Sequence, residues 1–492
     1  MKRLPFLTSF AAILFFMSIF VYVAYRASTI GLTHDECNTY TILNPQDGID
    51  CPFKTTANNH LLNTWLMRQS IGLSGSHSEL ALRFPNVLAF LVYAIAVWLL
   101  LKPWKNNPFL YFLGLGMLLL NPYLIDFFSI ARGYGLALAF GLMAVYFFVK
   151  AREPGQLKPF VRDLFFSMLF SLLAAYSNFI FINLNIALLA LFLLEFVLHY
   201  RKESLRENLS LGIGLILIVG LNLHHINKIH DILMVLQDNK ELYFGGKQGF
   251  IISTLRVLIH RSIYLSYYGE AFWERIYHGL IIAFFGLTVI LLLRKKQSGL
   301  NRVFALLVVM IAAAVIQFYM FEIPYPVERT ALIFIPLAGL TLFHVGVDLS
   351  DWFSSYLRKS EWFIGLILFA FFALPMGYHF IRNMNTKYIL EWKFDANTQE
   401  VVRMIQSESS SVEQKSIVSS WEFHPALDFY IQRISNNTKL IIDNTLSNNG
   451  DYIYCHLREK EKIVDTTAFT VMTNFADTKT ILLKRKNPHP EE

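Results

Sequence analysis

The feature that most constrains this fold is a series of apolar runs of about 15–23 residues, close to the length of helix that crosses a lipid bilayer. They lie at residues 5–27, 84–101, 108–124, 134–149, 164–182, 184–198, 209–223, 275–293, 303–320, 331–347 and 361–380. Only 16% of the chain is charged, well below the roughly 25% of a soluble domain. The sequence therefore predicts a polytopic α-helical membrane protein with about 11 transmembrane helices. In such a chain the net charge of +7 does not indicate a nucleic-acid partner, and membrane lipids are the expected surroundings.

The positions of the positive charges predict the orientation of these helices. Lys and Arg concentrate in alternate loops, at residues 102–107, 150–163, 199–208, 294–302 and 348–360. Cytoplasmic loops carry such an excess, so the N-terminus is expected in the cytoplasm and the C-terminus outside it. The first apolar run is longer than the roughly 7–15 residues of a signal-peptide core, so we expect it to remain as a helix.

The composition changes after the last apolar run and predicts two domains. Residues 1–383 form the expected transmembrane domain, whereas residues 384–492 are polar. Short β-type runs occur at 416–420, 439–443, 451–456 and 478–484, with helix-like stretches at 398–407 and 424–433. This alternation favours a small extracytoplasmic α/β domain.

The loops that this topology places outside are where chemistry is expected. They are residues 28–83, 125–133, 224–274 and 321–330. In the first, His34, Asp35 and Glu36 follow the first span directly. Adjacent carboxylates at such a point are most simply a solvated loop start. Charged residues in the other outer loops favour a functional interpretation, because ionisable groups at membrane depth are costly and usually serve a function.

Cationic and polar residues mark the end of the same first loop. Lys54, Asn59 and His60 precede an amphipathic stretch whose pattern is typical of an interfacial helix. The start of such a helix has unpaired N–H groups and favours a negative ligand.

Two further loops each combine an acid with an arginine. Asp126 and Arg132 lie in one short loop, where simple pairing with each other is an alternative to a functional role. Glu328 and Arg329 stand at the outer end of a later span. The planar fork of an arginine suits a phosphate, although an interfacial arginine can also extend toward water without binding a ligand.

Two cysteines share the first outer loop. A disulfide between Cys37 and Cys51 would close a ring of about 15 residues and contribute about 3 kcal/mol in the chain-entropy model. Two free thiols are the alternative, because spacing alone does not establish the geometry of a bridge.

An ordered set of motifs resembles the C-type (GT-C) glycosyltransferases. The motifs are HDE, NNHLL, SELALRFPNVLAF, ARGYGLALAF and YPVERTALIFIPL, within residues 1–345. The sequence is most similar to the protein O-mannosyltransferase-like family, glycosyltransferase family 39, and its bacterial relatives, among them the aminoarabinose transferases of lipid A. The resemblance implies a GT-C fold in a bacterial inner membrane. It also implies transfer of a sugar from a polyprenyl-phosphate donor to an extracytoplasmic acceptor, usually with inversion.

The resemblance also implies roles for individual residues. Asp35 corresponds to the general base and Glu36 to its supporting neighbour. The residues expected to bind the donor phosphate are Arg132, Arg329, Lys54 and His60, although His60-Leu61-Leu62 stands where many relatives have His-Pro-Pro. Supporting roles fall to His34, Asn59, Asp126, Tyr134 and Glu328. A divalent cation stays open, with Asp35, Glu36 and Asp126 as candidate ligands, and no other cofactor is expected.

The expected chemistry agrees with these residue types. A carboxylate can accept the proton of an attacking hydroxyl, and arginines stabilise the charge that gathers on a departing phosphate. The acceptor is a lipid, a glycan or a protein. Two other functions compete with this one: a lipid-linked sugar flippase, which would need polar groups inside its spans, and a membrane scaffold with an outer binding domain.

Overall fold

A helix occupies each predicted apolar run in the computed structural model. The structure describes residues 3–43, 55–151, 157–200, 209–242, 244–264, 270–293, 299–357, 360–408, 414–434, 439–443, 450–463 and 467–486. The helices up to residue 383 are α1 (Arg3–Thr29), α2 (His34–Leu43), α3 (Leu61–Ser74), α4 (Glu79–Leu101), α5 (Pro108–Leu119), α6 (Pro122–Asp126), α7 (Tyr134–Lys150), α8 (Leu157–Ser177), α9 (Ile182–Glu195), α10 (Leu209–Asp238), α11 (Val257–Ser262), α12 (Glu270–Leu293), α13 (Gly299–Phe321), α14 (Phe334–Leu357), α15 (Glu361–Leu368) and α16 (Leu374–Asn383).

These helices confirm a multi-pass α-helical membrane protein. Within the described ranges, seven helical segments are long and apolar enough to cross a membrane. They are Phe6–Thr29, Glu79–Trp104, Leu157–Ser177, Phe179–Leu198, Leu211–Asp238, Asn301–Phe321 and Glu361–Asn383. The predicted total of about 11 also includes shorter apolar helices such as Pro108–Leu119 and Tyr134–Lys150.

The predicted separation of the two apolar runs 164–182 and 184–198 is present as a break between α8 and α9. Helix α8 ends at Ser177, and the side-chain oxygen of Asn178 accepts a hydrogen bond from the backbone N–H of Ile180 (3.2 Å). A short turn, Phe179–Phe181, follows, and α9 begins at Ile182. An Asn side chain that bonds its own neighbouring backbone competes with helix hydrogen bonds, which explains the break.

Internal contacts divide the chain into two units. The membrane unit comprises Met1–Ala24, Thr55–Leu73 and Arg83–Met384. The C-terminal unit comprises Tyr25–Lys54, Ser74–Leu82 and Asn385–Glu492. The stretch that carries His34, Asp35 and Glu36 therefore groups with the residues that follow Met384.

The C-terminal unit contains the predicted α/β domain. Its elements are α17 (Thr398–Glu408), β1 (Gln414–Ser419), α18 (His424–Ile434), β2 (Lys439–Asp443), β3 (Tyr452–His456), α19 (Leu457–Ile463), β4 (Phe469–Phe475) and β5 (Thr480–Arg485). The strands form one sheet in the order β2-β1-β3-β5-β4. Strand β1 is parallel to β2 and β3, whereas β5 is antiparallel to β3 and β4. One face of the sheet is covered by a buried apolar cluster: Val418, Ile453, Cys455, Phe469, Ile481 and Leu483.

Candidate active site

A cluster of cationic and polar side chains in the membrane unit combines buried His60 and Arg132 with partly buried Arg329. His60 and Arg132 are 7% and 3% exposed. Burial, together with the positive charges of Arg132 and Arg329, holds the pKa of His60 well below its usual 6.5. His60 is therefore neutral near pH 7, because a buried imidazole beside two guanidinium groups cannot readily accept a further positive charge. The positive charge of the cluster comes from the two arginines.

Arg132 is fixed by the segment that leads into α3. Its Nη1 donates to the main-chain oxygen of Asn58 (2.9 Å) and to Asn58 Oδ1 (2.7 Å). Asn59 is itself buried, and its Oδ1 accepts a hydrogen bond from the hydroxyl of Thr64 in α3 (2.7 Å). The ring of Tyr134, at the start of α7, packs edge-on against His60 with centroids 5.3 Å apart. These contacts place His60 and Arg132 on one rigid framework.

A glycine permits the backbone to approach closely at this cluster. A Cβ at Gly133 would lie 1.8 Å from the main-chain oxygen of Ser177 and 3.0 Å from the Cβ of His60. The ARGYG motif therefore needs glycine at its third position for a steric reason. The close approach also brings the end of α8 and the following Asn178 to the segment that carries Arg132.

Two buried nitrogen atoms around this cluster have no hydrogen-bond partner among the described residues. They are Nε2 of His60 and Nδ2 of Asn178, whose side chains are 7% and 6% exposed. Buried polar atoms are normally hydrogen-bonded, so each such atom calls for an explanation. A polar ligand at the cluster would supply it. Asn178 is not among the predicted site residues.

A chain of buried amides holds the helices around the cluster. The Nδ2 of Asn63 in α3 donates to the main-chain oxygen of Ala131 (3.0 Å). The Nδ2 of Asn86 in α4 donates to Asn63 Oδ1 (2.7 Å), and Asn86 Oδ1 accepts from the N–H of Leu136 in α7 (3.3 Å). Both asparagines are fully buried. The position of Arg132 therefore depends on three helices at once.

Arg329 contacts a residue of the 224–274 loop, which no sequence motif links to it. Its guanidinium lies over the ring of Phe244, 4.5 Å from the centroid, a favourable cation–π geometry. Gly246 and Tyr325 exchange backbone hydrogen bonds, and the hydroxyl of Thr254 donates to the main-chain oxygen of Pro326. The predicted outer loops 224–274 and 321–330 are thereby joined.

The two acids predicted beside these arginines contact residues of the same 224–274 loop. Glu328 forms an ion pair with Arg261. The hydroxyl of Tyr264 donates to the carboxylate of Asp126, at 2.9 and 3.1 Å from its two oxygens, and Asp126 is 1% exposed. Neither Arg261 nor Tyr264 is among the predicted residues, because nothing local in the sequence links them to acids 67 and 138 residues away.

In the C-terminal unit, His34 begins helix α2, so the alternative of a solvated loop start does not hold. The Oε2 of Glu36 accepts a hydrogen bond from the backbone N–H of Thr33 (2.9 Å), and Glu36 is fully buried. Thr33-His34-Asp35-Glu36 matches the S/T-x-x-E pattern of a capping box, a signal that was readable in the sequence. Asp35 is only partly buried, so its carboxylate is the more accessible of the two.

The neighbouring Asp395 of this unit is an unusual acid. It is 3% exposed, and its Oδ2 accepts a hydrogen bond from the backbone N–H of His34 (2.6 Å). Burial raises the pKa of Asp395 well above 3.8, and the nearby charges of Asp35, Glu36 and Glu422 raise it further. The hydrogen bond from His34 lowers this pKa without cancelling the rise. Asp395 therefore holds a proton at pH values where an exposed aspartate is ionised.

Several predicted features lie outside the described residues or stay predictions. Lys54 and Cys51 are outside those residues, so neither the expected phosphate contact of Lys54 nor a Cys37–Cys51 disulfide is tested, although Cys37 is buried. In the part of the chain that the structure describes, no group of three or more His, Cys, Asp or Glu side chains could hold a metal ion. The need for a divalent cation stays an open question.

The predicted fold is confirmed by its similarity to two solved structures of ArnT. ArnT from Cupriavidus metallidurans, determined with undecaprenyl phosphate bound, matches with a TM-score of 0.53 and 10% identity, over 96% of this chain and 97% of that one. Its apo structure matches with a TM-score of 0.54 and 10% identity, over 96% and 98%. No protein-family model matches this sequence, and a search of curated proteins finds no match. At this identity the similarity establishes the fold.

The low pKa of His60 predicts a pH-dependent stability. The unfolded chain, with a His pKa near about 6.5, binds more protons than the folded one just below that pH, so stability falls as the pH falls through this window. His60→Gln should reduce the drop in melting temperature between about pH 7.5 and about pH 5.5, measured by differential scanning fluorimetry in detergent. His230→Gln, at an exposed position of α10, is the control. An equal drop in wild type and His60→Gln would contradict this account.

The raised pKa of Asp395 predicts that stability changes with pH in the opposite direction. Above pH 3.8 the folded state keeps a proton that the unfolded state releases, so stability decreases as the pH rises toward the folded-state pKa. Asp395→Asn needs no proton and should melt at a higher temperature than wild type near about pH 7, with the difference shrinking toward about pH 4. Asp477→Asn, at an exposed aspartate of the same unit, should show no such trend. A lower melting temperature for Asp395→Asn at neutral pH would refute the assignment.

Proposed function

We propose that this protein is an integral-membrane glycosyltransferase. It moves a sugar from a polyprenyl-phosphate donor to an acceptor hydroxyl or phosphate on the extracytoplasmic face of a bacterial inner membrane. The observation that carries the proposal is that buried His60 and Arg132 lie within electrostatic range of Arg329, which is partly buried. Two guanidinium groups that are wholly or partly removed from water are costly, and a phosphate ligand would offset the cost. The shared fold with ArnT, solved with undecaprenyl phosphate, supports a lipid-linked donor.

The donor phosphate is assigned to the two arginines. A guanidinium offers paired N–H donors in a plane that matches phosphate oxygens. Arg132 and Arg329 also oppose the negative charge that develops on the phosphate as it leaves, which lowers the barrier to transfer. Nε2 of neutral His60 and Nδ2 of Asn178 add polar contacts for the phosphate or the sugar, and Lys54 is a further cation assigned to the donor. A bound phosphate would also raise the pKa of His60 toward its usual value.

Asp35 is assigned as the general base. The acceptor oxygen forms a bond to the anomeric carbon while the bond from that carbon to the phosphate oxygen breaks, and the acceptor proton passes to the Asp35 carboxylate. One such displacement inverts the anomeric centre. Glu36 is buried in the helix cap, so its role is to hold the first turn of α2, which presents Asp35. Residues assigned to support the phosphate-binding groups and the base are His34, Asn59, Tyr134, Asp126 and Glu328.

A reconstituted system tests the function directly. The purified protein in lipid nanodiscs or vesicles would receive radiolabelled polyprenyl-phosphate sugars together with candidate lipid, glycan and peptide acceptors. A transferase consumes the donor and labels an acceptor. A flippase only moves the labelled lipid between leaflets, and a scaffold leaves it unchanged; either of these results would overturn the proposal.

The phosphate assignment predicts a loss of donor affinity. Arg132→Ala and Arg329→Ala should each weaken binding of undecaprenyl phosphate by at least about tenfold, or about 1.4 kcal/mol, because each removes charge-assisted hydrogen bonds. Arg132→Lys, which keeps the charge but loses the planar fork, should fall between. Binding can be measured by a scintillation proximity assay. Arg68→Ala, at an exposed position of α3, removes the same charge and should bind normally. Wild-type affinity in both arginine variants would contradict the assignment.

The base assignment predicts a separation of binding from chemistry. Asp35→Asn should lower the rate of sugar transfer by at least about 100-fold, while affinity for undecaprenyl phosphate and insertion into the membrane stay unchanged. Glu36→Gln is the matched variant, since Gln can also complete a capping box, and it should lose far less activity. Transfer near the wild-type rate in Asp35→Asn would show that Asp35 is not the base.

A further inference from the structure

The start of helix α2 is held by side chains from the far end of the sequence. The first N–H groups of a helix have no acceptor within the helix itself. The N–H of Leu32 donates to the hydroxyl of Tyr430 (2.7 Å), and that of His34 donates to Asp395 Oδ2 (2.6 Å). Thr33, between them, is satisfied by Glu36. Two of the three acceptors therefore come from residues that follow Met384.

The side chain of His34 is held by the same part of the chain. Its Nδ1 lies 2.7 Å from the main-chain oxygen of Glu422. A carbonyl oxygen can only accept, so Nδ1 carries a hydrogen and donates it. The ring of Trp421 packs edge-on against the His34 ring, with centroids 5.6 Å apart. His34 is therefore bound through both its backbone and its ring.

These contacts lie at the ends of two parallel strands. Trp421 and Glu422 follow the end of β1 after one residue, and His456 is the last residue of β3. The carboxylate of Glu422 lies 2.5 Å from His456 Nε2, which links the two strand ends. In open α/β sheets, the carboxyl ends of parallel strands are the edge where functional groups are usually placed.

Asp395 is buried and accepts a hydrogen bond from the start of helix α2. It lies in the turn Leu390–Asn397 that leads into α17, and Trp392 in the same turn is 4% exposed. One carboxylate oxygen of Asp395 bonds His34, and the other has no hydrogen-bond partner in the described part of the chain. The charges of Asp35, Glu36 and Glu422 act on it. Asp395 thus contacts the helix start and lies within electrostatic reach of the candidate base.

We propose that Asp395 and Glu422 are positioning residues for sugar transfer. Together they fix the first turn of α2 and so set the direction in which Asp35, the residue after His34, presents its carboxylate. The inference rests on the proposed function, in which Asp35 is the base. It gives the C-terminal α/β domain a catalytic purpose, because a reacting group displaced by about 1 Å can cost about 100-fold in rate.

The test compares two substitutions of Asp395 in the full-length protein. Asp395→Ala removes the acceptor for the His34 N–H, whereas Asp395→Asn keeps an oxygen in the same place. We expect Asp395→Ala to lower kcat by at least about tenfold without changing the Kd for undecaprenyl phosphate, since only the base is displaced. Asp395→Asn should restore kcat to within about threefold of wild type, because the hydrogen bond is kept. A role confined to stability would not separate kcat from donor binding in this way.

A matched control comes from the same domain. Asp451 Oδ2 accepts hydrogen bonds from the backbone N–H and the hydroxyl of Ser416, near the start of β1. Asp451→Ala therefore removes the same kind of bond at a distance from His34 along the strand. It should lower the melting temperature while kcat stays within about threefold of wild type, as expected when the base keeps its geometry.

The outcomes separate this inference from the proposed function. Normal kcat in folded Asp395→Ala would overturn the positioning role, and so would losses in Asp395→Ala and Asp451→Ala that simply follow their melting temperatures. If Asp395→Ala does not fold, His34→Ala removes the bond to Glu422 instead, and an unchanged kcat there would overturn it. A wild-type protein that transfers no sugar would refute the proposed function itself, and an active Asp35→Asn would refute the base on which this inference rests.

Discussion

The cost of burying charged and polar groups in a membrane protein governs the arrangement of the membrane unit. Arg132 is 3% exposed and bonds both oxygens of Asn58. Asp126 accepts from Tyr264, and Glu328 pairs with Arg261. Each pairing joins loops that are distant in sequence, since a buried charge is tolerated only when partners reach it. The polar framework of the outer loops follows from that requirement.

The same principle acts on the backbone in the C-terminal unit. The N–H groups at the start of α2 would be left without acceptors on burial, and Tyr430, Glu36 and Asp395 each supply one. Two of these acceptors belong to the polar C-terminal segment. The C-terminal α/β domain, which the sequence predicts as a separate domain, therefore forms one unit with the residues that follow the first span.

Local patterns account for most of what could be predicted. The apolar runs, the break at Asn178 and the strands β1, β2, β3 and β5 depend on neighbouring residues, and all are present. Strand β4 and helix α19 were missed. Strand β4 is partly exposed at the sheet edge and mixes Thr and Asn with apolar residues, so it lacks a continuous apolar run. Thr33 and Glu36 form a recognisable capping pattern, which marks the start of α2 within the predicted outer loop.

By itself, the sequence determined that the chain is a multi-pass membrane protein, that a small α/β domain follows the last span, and that Arg132, Arg329 and His60 are candidates to act together. Hydropathy and periodicity are local properties, so they can be read from the sequence alone. Only the tertiary structure decided which partners the polar and charged groups contact: Asn58 for Arg132, Phe244 for Arg329 and Asp395 for the backbone of His34. Those partners are separated along the chain, and the requirement that every buried polar group find one is met only after folding.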